Sequence, residues 1–303
     1  MASYNGEKFI EEQLQSILDQ TMAVDEIIIC DDRSSDNTAS VVREFIRNNA
    51  LEDKVHFFVN EENLGYASNF IEALRKTTGD YVFFCDQDDI WISDRVEKMI
   101  GVLEDHPEAE LIGSEFEPFK CTDDAPDPHK WELATFRNDE SLEKLNFNSA
   151  NIFIGCQGCT MAMRRSFFEA IDSYWYKGWA HDEFVWKLAL CRDSLFFYHK
   201  VSLKRRLHST NVTLHKEHEK AKRLKYLKDL KKSHERTRDY VSGNGTDRYK
   251  MALLDRHIKA TQMRIELIEH RKFLNSVKLL GYTDCYHKRR SIPVELLMAV
   301  KNS

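Results

Sequence analysis

The sequence predicts an α/β domain built on a largely parallel sheet with helices on both faces, followed by a basic helical appendage. Two observations carry this. Short apolar runs alternate with amphipathic stretches of about ten to fifteen residues, the pattern of βαβ units. The charge also changes sign along the chain: residues 211–303 hold 22 Lys+Arg against 11 Asp+Glu, whereas the first 210 hold 22 against 39. With 303 residues, 42% of them hydrophobic and only five prolines, the chain is ample for one large domain plus an appendage, and general disorder is excluded.

The elements follow in order. Between Gly6 and Gln20, Ile10, Leu14, Ile17 and Leu18 mark one face of a helix. "EIIIC" (26–30) is a short buried strand that ends in "DDRSSDNT". A helix through Val41, Val42, Phe45 and Ile46, the strand "VHFFV" and the turn and helix of "NEENLGYASNFIEALRK" come next, before the strand "YVFFC" (81–85). Ser93 is placed to cap a helix carrying Val96, Met99, Ile100 and Leu103, and "AELIGSEF" reads as another strand. Residues 118–150 are polar and aperiodic, a long loop of the kind used for substrate binding or as a lid. Pattern returns in "CTMAMRRSFFEAI" and "DEFVWKLAL"; beyond residue 213 it is helical and basic, broken at "SGNG" (242–245).

The seven cysteines have no framework spacing, so they read as reduced thiols, including the C-x-x-C pair Cys156 and Cys159. The sequon at Asn211 carries little meaning without a secretory signal. No run approaches the roughly 18 to 20 apolar residues that span a bilayer, and no basic-then-apolar leader is visible. A cytoplasmic protein is expected.

In open α/β sheets, ligands sit at the carboxyl ends of the strands. Asp31-Asp32 and Asp86-Gln87-Asp88-Asp89 both follow strands directly, so both belong on that rim. Like charges so close together repel and lose hydration, which calls for a balancing charge. If the chain stays extended, Asp86 and Asp88 leave on one face. Such a pair can hold a hard divalent cation, Mg²⁺ or Mn²⁺, together with a diphosphate. The bland alternative, an acidic turn capping the helix near Ser93, is equally open from these residues alone. Asp89 is assigned to fixing the turn, and Ile90 and Trp91 to anchoring it against the core.

The segments "ASYNGEKFIEEQLQSIL", "EIIICDDRSSDNT", "NEENLGYASNFIEAL" and "GDYVFFCDQDDIW", then "IGCQGCTMAMRR", "WAHDEFVWKLAL" and "RRLHSTNVT", resemble in order and spacing the family 2 inverting glycosyltransferases of GT-A fold. The "DQDDIW" form is most similar to rhamnosyltransferase-like members. The resemblance implies a Rossmann-like GT-A domain over 1–213, with a nucleotide-sugar half to about residue 117 and an acceptor half over 118–213, and leaves 214–303 as the basic helical region. It implies that Tyr4 packs beside the base, that Asp32 binds base or ribose, and that Asp86 is the ribose-side acid. Asp88 and His208 are implied metal ligands, Arg205 and Arg206 neutralise phosphate, and Asp182 is the general base, with His181 and Glu183 weaker candidates. Asp182 as a mere helix cap is the bland reading.

A metal-dependent inverting transferase is therefore expected. It would move a sugar from a nucleotide-diphosphate donor, dTDP-rhamnose by resemblance, to a glycan or lipid-linked acceptor in surface polysaccharide synthesis. Family members begin with an apolar strand before the equivalent of "ASYN", whereas this chain begins at Met1, so the first strand is expected to be missing and an upstream in-frame extension, if one exists, to restore solubility and activity. That feature favours a catalytically impaired binding protein, which intact Asp86, Asp88 and Asp182 disfavour. A sugar nucleotidyltransferase should carry a glycine-rich basic phosphate loop near its start, and none is visible. The face bearing Lys222, Arg223, Lys225, Lys228, Lys231 and Lys232 is expected to meet anionic lipid on the inner face of the cell membrane. No nucleic-acid recognition motif is present.

Overall fold

The structure, a computed structural model, describes residues 1–123, 125–128, 133, 136–208, 219–288 and 291–300. The chain divides into two compact units. The first comprises Met1–Leu145, Gly155–Ala189 and Ser194–Leu214, and the second Asn146–Ile154, Leu190–Asp193 and His215–Ser303. The second unit thus takes in two short stretches that sequence order alone assigns to the first domain. The boundary expected near residue 213 and the sequon at Asn211 lie outside the described residues.

In the first unit, β1 (Ala2–Ser3), β2 (Ile27–Asp31) and β3 (Val55–Val59) form a parallel sheet in that order. β1 supplies two residues at the position where the first strand is expected to be missing. It is extended by Met1, whose nitrogen donates to Ile28 O at 2.7 Å and whose carbonyl accepts from Cys30 N. β2 is apolar from Ile27 to Cys30 because both its faces are covered. Ile27 and Ile29 pack with Ile10, Leu14 and Ile17 of α1 (Ile10–Leu18) and with Val42 and Phe45 of α2 (Thr38–Asn48). Ile28 and Cys30 face Ala73 of α3 (Tyr66–Arg75). Each such aliphatic side chain contributes about 1.5–3 kcal/mol by leaving water.

The remaining strands form a second, mixed sheet: β4 (Tyr81–Phe83), β8 (Ala162–Arg164), β6 (Leu111–Lys120), β9 (Leu195–Leu207) and β5 (Ile90–Trp91) in spatial order, with β7 (Leu142–Lys144) also on β9. Among the described residues only β6 and β9 pair in parallel here, so this half is more mixed than the strand–helix alternation predicts. The reason is local: β5, β7 and β8 are too short to announce themselves as strands, and each pairs antiparallel to a longer neighbour. α4 (Arg95–Asp105), α5 (Arg165–Ile171) and α6 (His181–Cys191) up to Ala189 complete the unit. Ser93 does not cap α4. Its carbonyl accepts from Thr21 N, and Asp94 precedes the helix without a side-chain capping bond.

The segment 118–150 is less irregular than its composition predicts, since β6 runs into it and β7 closes it. At the β6 bulge, Glu115 accepts from the amides of Arg137 and Asn138, both at 2.8 Å, and lies 2.9 Å from His199 Nδ1. That buried carboxylate fixes where the segment returns to the sheet. Residues 124, 129–132, 134 and 135 of this stretch lie outside the described residues.

In the second unit, α7 (Lys220–Gly243) and α8 (Arg248–His270) form a helical hairpin broken at "SGNG", with Asp247 capping α8 through the amides of Tyr249 and Lys250. α9 (Leu274–Leu279) and α10 (Ser291–Val300) bring Leu279 and Ala299 into one cluster with Ala260, Met263 and Leu267 of α8. Buried Glu295 on α10 accepts from Arg264 Nη2 at 2.7 Å and from Arg223 Nε at 2.9 Å. Glu295→Ala leaves two guanidinium groups without their carboxylate and should cost about 3–5 kcal/mol in urea unfolding, whereas Arg264→Met/Glu295→Leu should recover most of it. A single variant as stable as the parent would contradict this.

Candidate active site

The site is built on the turn between β4 and β5. Trp91 is buried against the first core and its amide donates to Ser16 Oγ at 3.0 Å. Ile90 pairs with Lys204 and Trp91 with Leu203 of β9. This short ladder draws residues 205–208 along residues 86–89, although nearly 120 positions separate them in sequence. Arg206 N donates to Asp89 Oδ1 at 3.1 Å, Arg206 Nε donates to Asp88 O at 2.9 Å, and His208 Nε2 lies 2.8 Å from Asp88 Oδ2.

The backbone bends at Gln87 and Asp88 instead of staying extended, so the extended-chain condition for the Asp86/Asp88 pair is not met, although the charge of Asp88 still reaches the Asp86 carboxyl. Asp86 groups with Asp89 and Cys159, with one donor atom from each all within 4.8 Å, while Asp88 reaches His208. Burial, then the charge of Asp88, pushes the Asp86 carboxyl up to about 7; Asp182 adds to the rise and Arg205 opposes it. Asp89 is raised well above the usual carboxylate range by burial and by Asp88 and Asp86, and among the described residues its Oδ2 has no hydrogen-bond partner. Burial likewise raises the Cys159 thiol well above its ordinary value, and the charges of Asp89 and Asp86 add to the rise. Among the described residues the cysteines are free, and Cys156, pushed up to about 12 by burial, is inert.

Positive charge comes from below and beside the turn. Arg95 is fully buried; it donates to Ser202 Oγ and to Cys159 O, and its guanidinium lies 4.6 Å from the Trp91 ring centre. Burial lowers its pKa to about 10. Arg205 is buried over Phe116 and favours the ionised forms of Asp86 and Asp89. Arg206 is tied to Glu12 as well as to the turn, so it acts as a strut rather than an open anion site.

Asp182 stands in the first turn of α6, where it satisfies one helix amide, that of Glu183, at 2.8 Å. Part of the capping role is therefore present. Burial pushes its carboxyl up to about 6. His181 beside it stacks on Phe70 at 3.8 Å and meets Phe84 edge-on; burial drives its pKa down to about 3, so it stays neutral. The short turn Gly158–Thr160 lies against this helix start. A Cβ at Gly158 would sit 3.0 Å from both Asp182 Cβ and His181 Nε2, so a side chain there would press on both and a neighbour would have to give.

Asp86, Asp88, Asp182, Arg205, Arg206 and His208 are thus gathered from three distant segments. Tyr4 and Asp32 lie on the same rim, at the ends of β1 and β2. Tyr4 is half exposed, and its backbone is clipped by Gln87, which accepts from Tyr4 N at 2.8 Å and donates to Tyr4 O at 3.0 Å. Gly6 makes room for that side chain. Asp32 differs from expectation: it is buried and accepts from Leu64 N, Gly65 N and Asn60 Nδ2, which leaves little of the carboxylate for a ligand. Beside it a cleft lined by Arg33, Asn60, Glu61, Glu62 and Leu64 opens at the ends of β2 and β3. Cys159, Arg95, Gln87 and Gly158 were not singled out from sequence as site residues. For Cys159, Gln87 and Gly158 the one available signal was a position inside the quoted motifs; Arg95 lies outside them.

Comparison with known proteins bears on this geometry. The family model "Glycosyl transferase family 2" matches residues 1–172. An Escherichia coli protein, "UDP-Glc:alpha-D-GlcNAc-diphosphoundecaprenol beta-1,3-glucosyltransferase WfgD", is 38% identical over 103 residues, 34% of this chain and 39% of that protein. "dTDP-rhamnosyl transferase RfbG" of Shigella flexneri is 39% identical over 106 residues, 34% of this chain and 36% of that protein. The matches therefore span less than two fifths of those relatives' own length. Among solved structures, S. aureus TarS 1-349 in complex with UDP-GlcNAc superposes with a TM-score of 0.64 at 16% identity, covering 99% of this chain and 78% of that one. This likeness is one of fold, of the GT-A type.

Gly158→Ala should force α6 and the 158–160 turn apart. Overpacking of this kind costs about 1–3 kcal/mol, read as a lower melting temperature; a variant that melts with the parent would show that the contact gives way freely.

Proposed function

Because the chain belongs to glycosyl transferase family 2, we propose that it transfers a sugar from a nucleotide-diphosphate donor to an acceptor hydroxyl with inversion, using Asp182 as general base. The observation that carries the reading is the buried Asp182 carboxyl at the start of α6, pushed up by burial and close enough for its charge to help raise Asp86. In this reaction the acceptor oxygen attacks the anomeric carbon as the bond from that carbon to the diphosphate oxygen breaks. The bonding pair leaves with the nucleoside diphosphate, and the hydroxyl proton passes to the Asp182 carboxylate. A base with a pKa near 6 is ionised at neutral pH yet still accepts a proton in the transition state, an effect worth roughly 10² to 10⁴ in rate.

The donor set suits a hard divalent cation, Mg²⁺ or Mn²⁺: carboxylate oxygen from Asp88 and imidazole nitrogen from His208 already converge at 2.8 Å. The unpartnered buried Asp89 Oδ2 and the crowding of Asp86 against Asp89 support a need for added positive charge there. When bound, such an ion supplies Lewis acidity toward the leaving diphosphate. Arg205 offsets acid charge beside it, and Gln87 holds the Tyr4 backbone where a base would stack. Asp32 shapes the 60–65 loop next to that position. The similarity to a dTDP-rhamnosyl transferase and the "DQDDIW" form favour dTDP-rhamnose as donor. A lipid-linked or glycan acceptor at the inner face of the membrane is the matching partner.

A panel of nucleotide sugars assayed for Mn²⁺- or Mg²⁺-dependent release of nucleoside diphosphate tests the reading. Asp182→Asn should lower kcat by roughly 10² to 10⁴ with little change in melting temperature. Because the Asp182 pKa is raised, the carboxyl protonates as pH falls through about 6, and kcat should drop about tenfold per unit below that. The stability sign is the reverse: ionising Asp182 costs the fold, so its contribution declines as pH rises from the ordinary aspartate value of 3.8 to about 6. Full activity in Asp182→Asn would sink the assignment.

A further inference from the structure

We propose that the outer faces of α9 and α10 form a docking surface for a bilayer containing anionic lipid. The proposal deepens the reading of a membrane-borne acceptor and rests on it for its purpose, while its evidence is separate. Among the described residues, eight of the sixteen exposed large hydrophobic side chains fall between Phe273 and Val300. Leu274, Val277, Leu280, Leu297 and Val300 are 59–68% exposed. They do not scatter. On α9, Asn275 and Leu279 turn inward while Leu274 and Val277 turn out; on α10, Glu295 and Ala299 turn inward while Val294, Leu297 and Val300 recur every third residue outside. Leu279 and Ala299 belong to one cluster with Ala260, Met263 and Leu267 of α8, so both helices seat on the same side of α8.

Charge selects the occupant. Residues 271–303 carry seven Lys or Arg against two Asp or Glu. Both acids are engaged internally, Asp284 by Arg256 at 2.7 Å and Glu295 by Arg264 at 2.7 Å. Apolar side chains on short helices within basic sequence are what an interfacial helix needs to rest among anionic headgroups. The α7 face expected from sequence is a poorer candidate: Arg223 pairs with Glu295, Lys228 with Glu269, Lys231 with Glu235 and Lys222 with Glu219. No described helix is long and apolar enough to cross a membrane, so contact of this kind lies along the surface.

The test is co-sedimentation of the full chain with phosphatidylcholine vesicles, with and without phosphatidylglycerol. The chain should pellet with the anionic vesicles, and each basic residue engaged should add about fivefold to partitioning. Leu274→Glu/Leu297→Glu should reduce binding by about tenfold or more, with unaltered circular dichroism and unaltered nucleoside diphosphate release. Failure of the parent chain to pellet, or undiminished binding by the double variant, overturns the proposal. Self-association in sedimentation velocity that the same variant abolishes, without vesicle binding, makes the occupant a second copy and also overturns it. A chain that binds vesicles but releases no nucleoside diphosphate from any donor leaves the docking surface standing and removes the transferase reading instead.

Discussion

The two-residue pairing of β5 with β9 is the constraint on which the site depends. Ile90 and Trp91 carry no chemistry, yet their ladder with Leu203 and Lys204 sets the acidic turn beside the Arg205–His208 segment. Without that register, Asp86, Asp88 and Asp89 would repel one another with no fixed counter-charge. With it, Arg206 bonds the turn's backbone, His208 meets Asp88, and Arg205 offsets the acids. The anchor is apolar: Trp91 is buried among core residues of α1 and β2, so hydrophobic burial holds the carboxylates in a position they would not choose.

A second consequence is that the site is kept under electrostatic tension. Asp86 and Asp89 share low-dielectric space with the Cys159 thiol, and the fully buried Arg95 lies beneath them on Trp91. Like charges held together by packing destabilise the bare fold and favour any ligand that brings the opposite charge. The fold thus gives up some stability at the rim of the sheet, where binding can offset it.

Much of this was legible in the sequence. The continuous apolar run of β2 betrays a strand covered on both faces; β3 also falls where the pattern puts it, although only Val55 of it is buried, and strand ends predict the rim on which both acidic clusters sit. The spacing of Val96, Met99 and Leu103 likewise finds α4, while its start is misjudged because Asp94 and Ser93 are both plausible caps and neither side chain caps it. What pattern could not reveal is pairing. β5 is two residues long, and only tertiary contact makes it a strand. The bend at Gln87 and Asp88, after which Asp89 joins Asp86 and Cys159 in one cluster, is likewise absent from the local pattern. Asp32 shows the same limit: its type suggests a ligand contact, but the amides of Leu64 and Gly65 arrive from a loop more than thirty residues away.

The central claim is that residues from the β4–β5 turn and the end of β9 form one cation site. Calorimetric titration of Mn²⁺ into the full chain, with a nucleoside diphosphate present, tests it most directly. Binding should weaken by about tenfold or more in Asp88→Asn and, separately, in His208→Ala, with both variants melting as the parent does. Unchanged Mn²⁺ affinity in both variants would contradict the account.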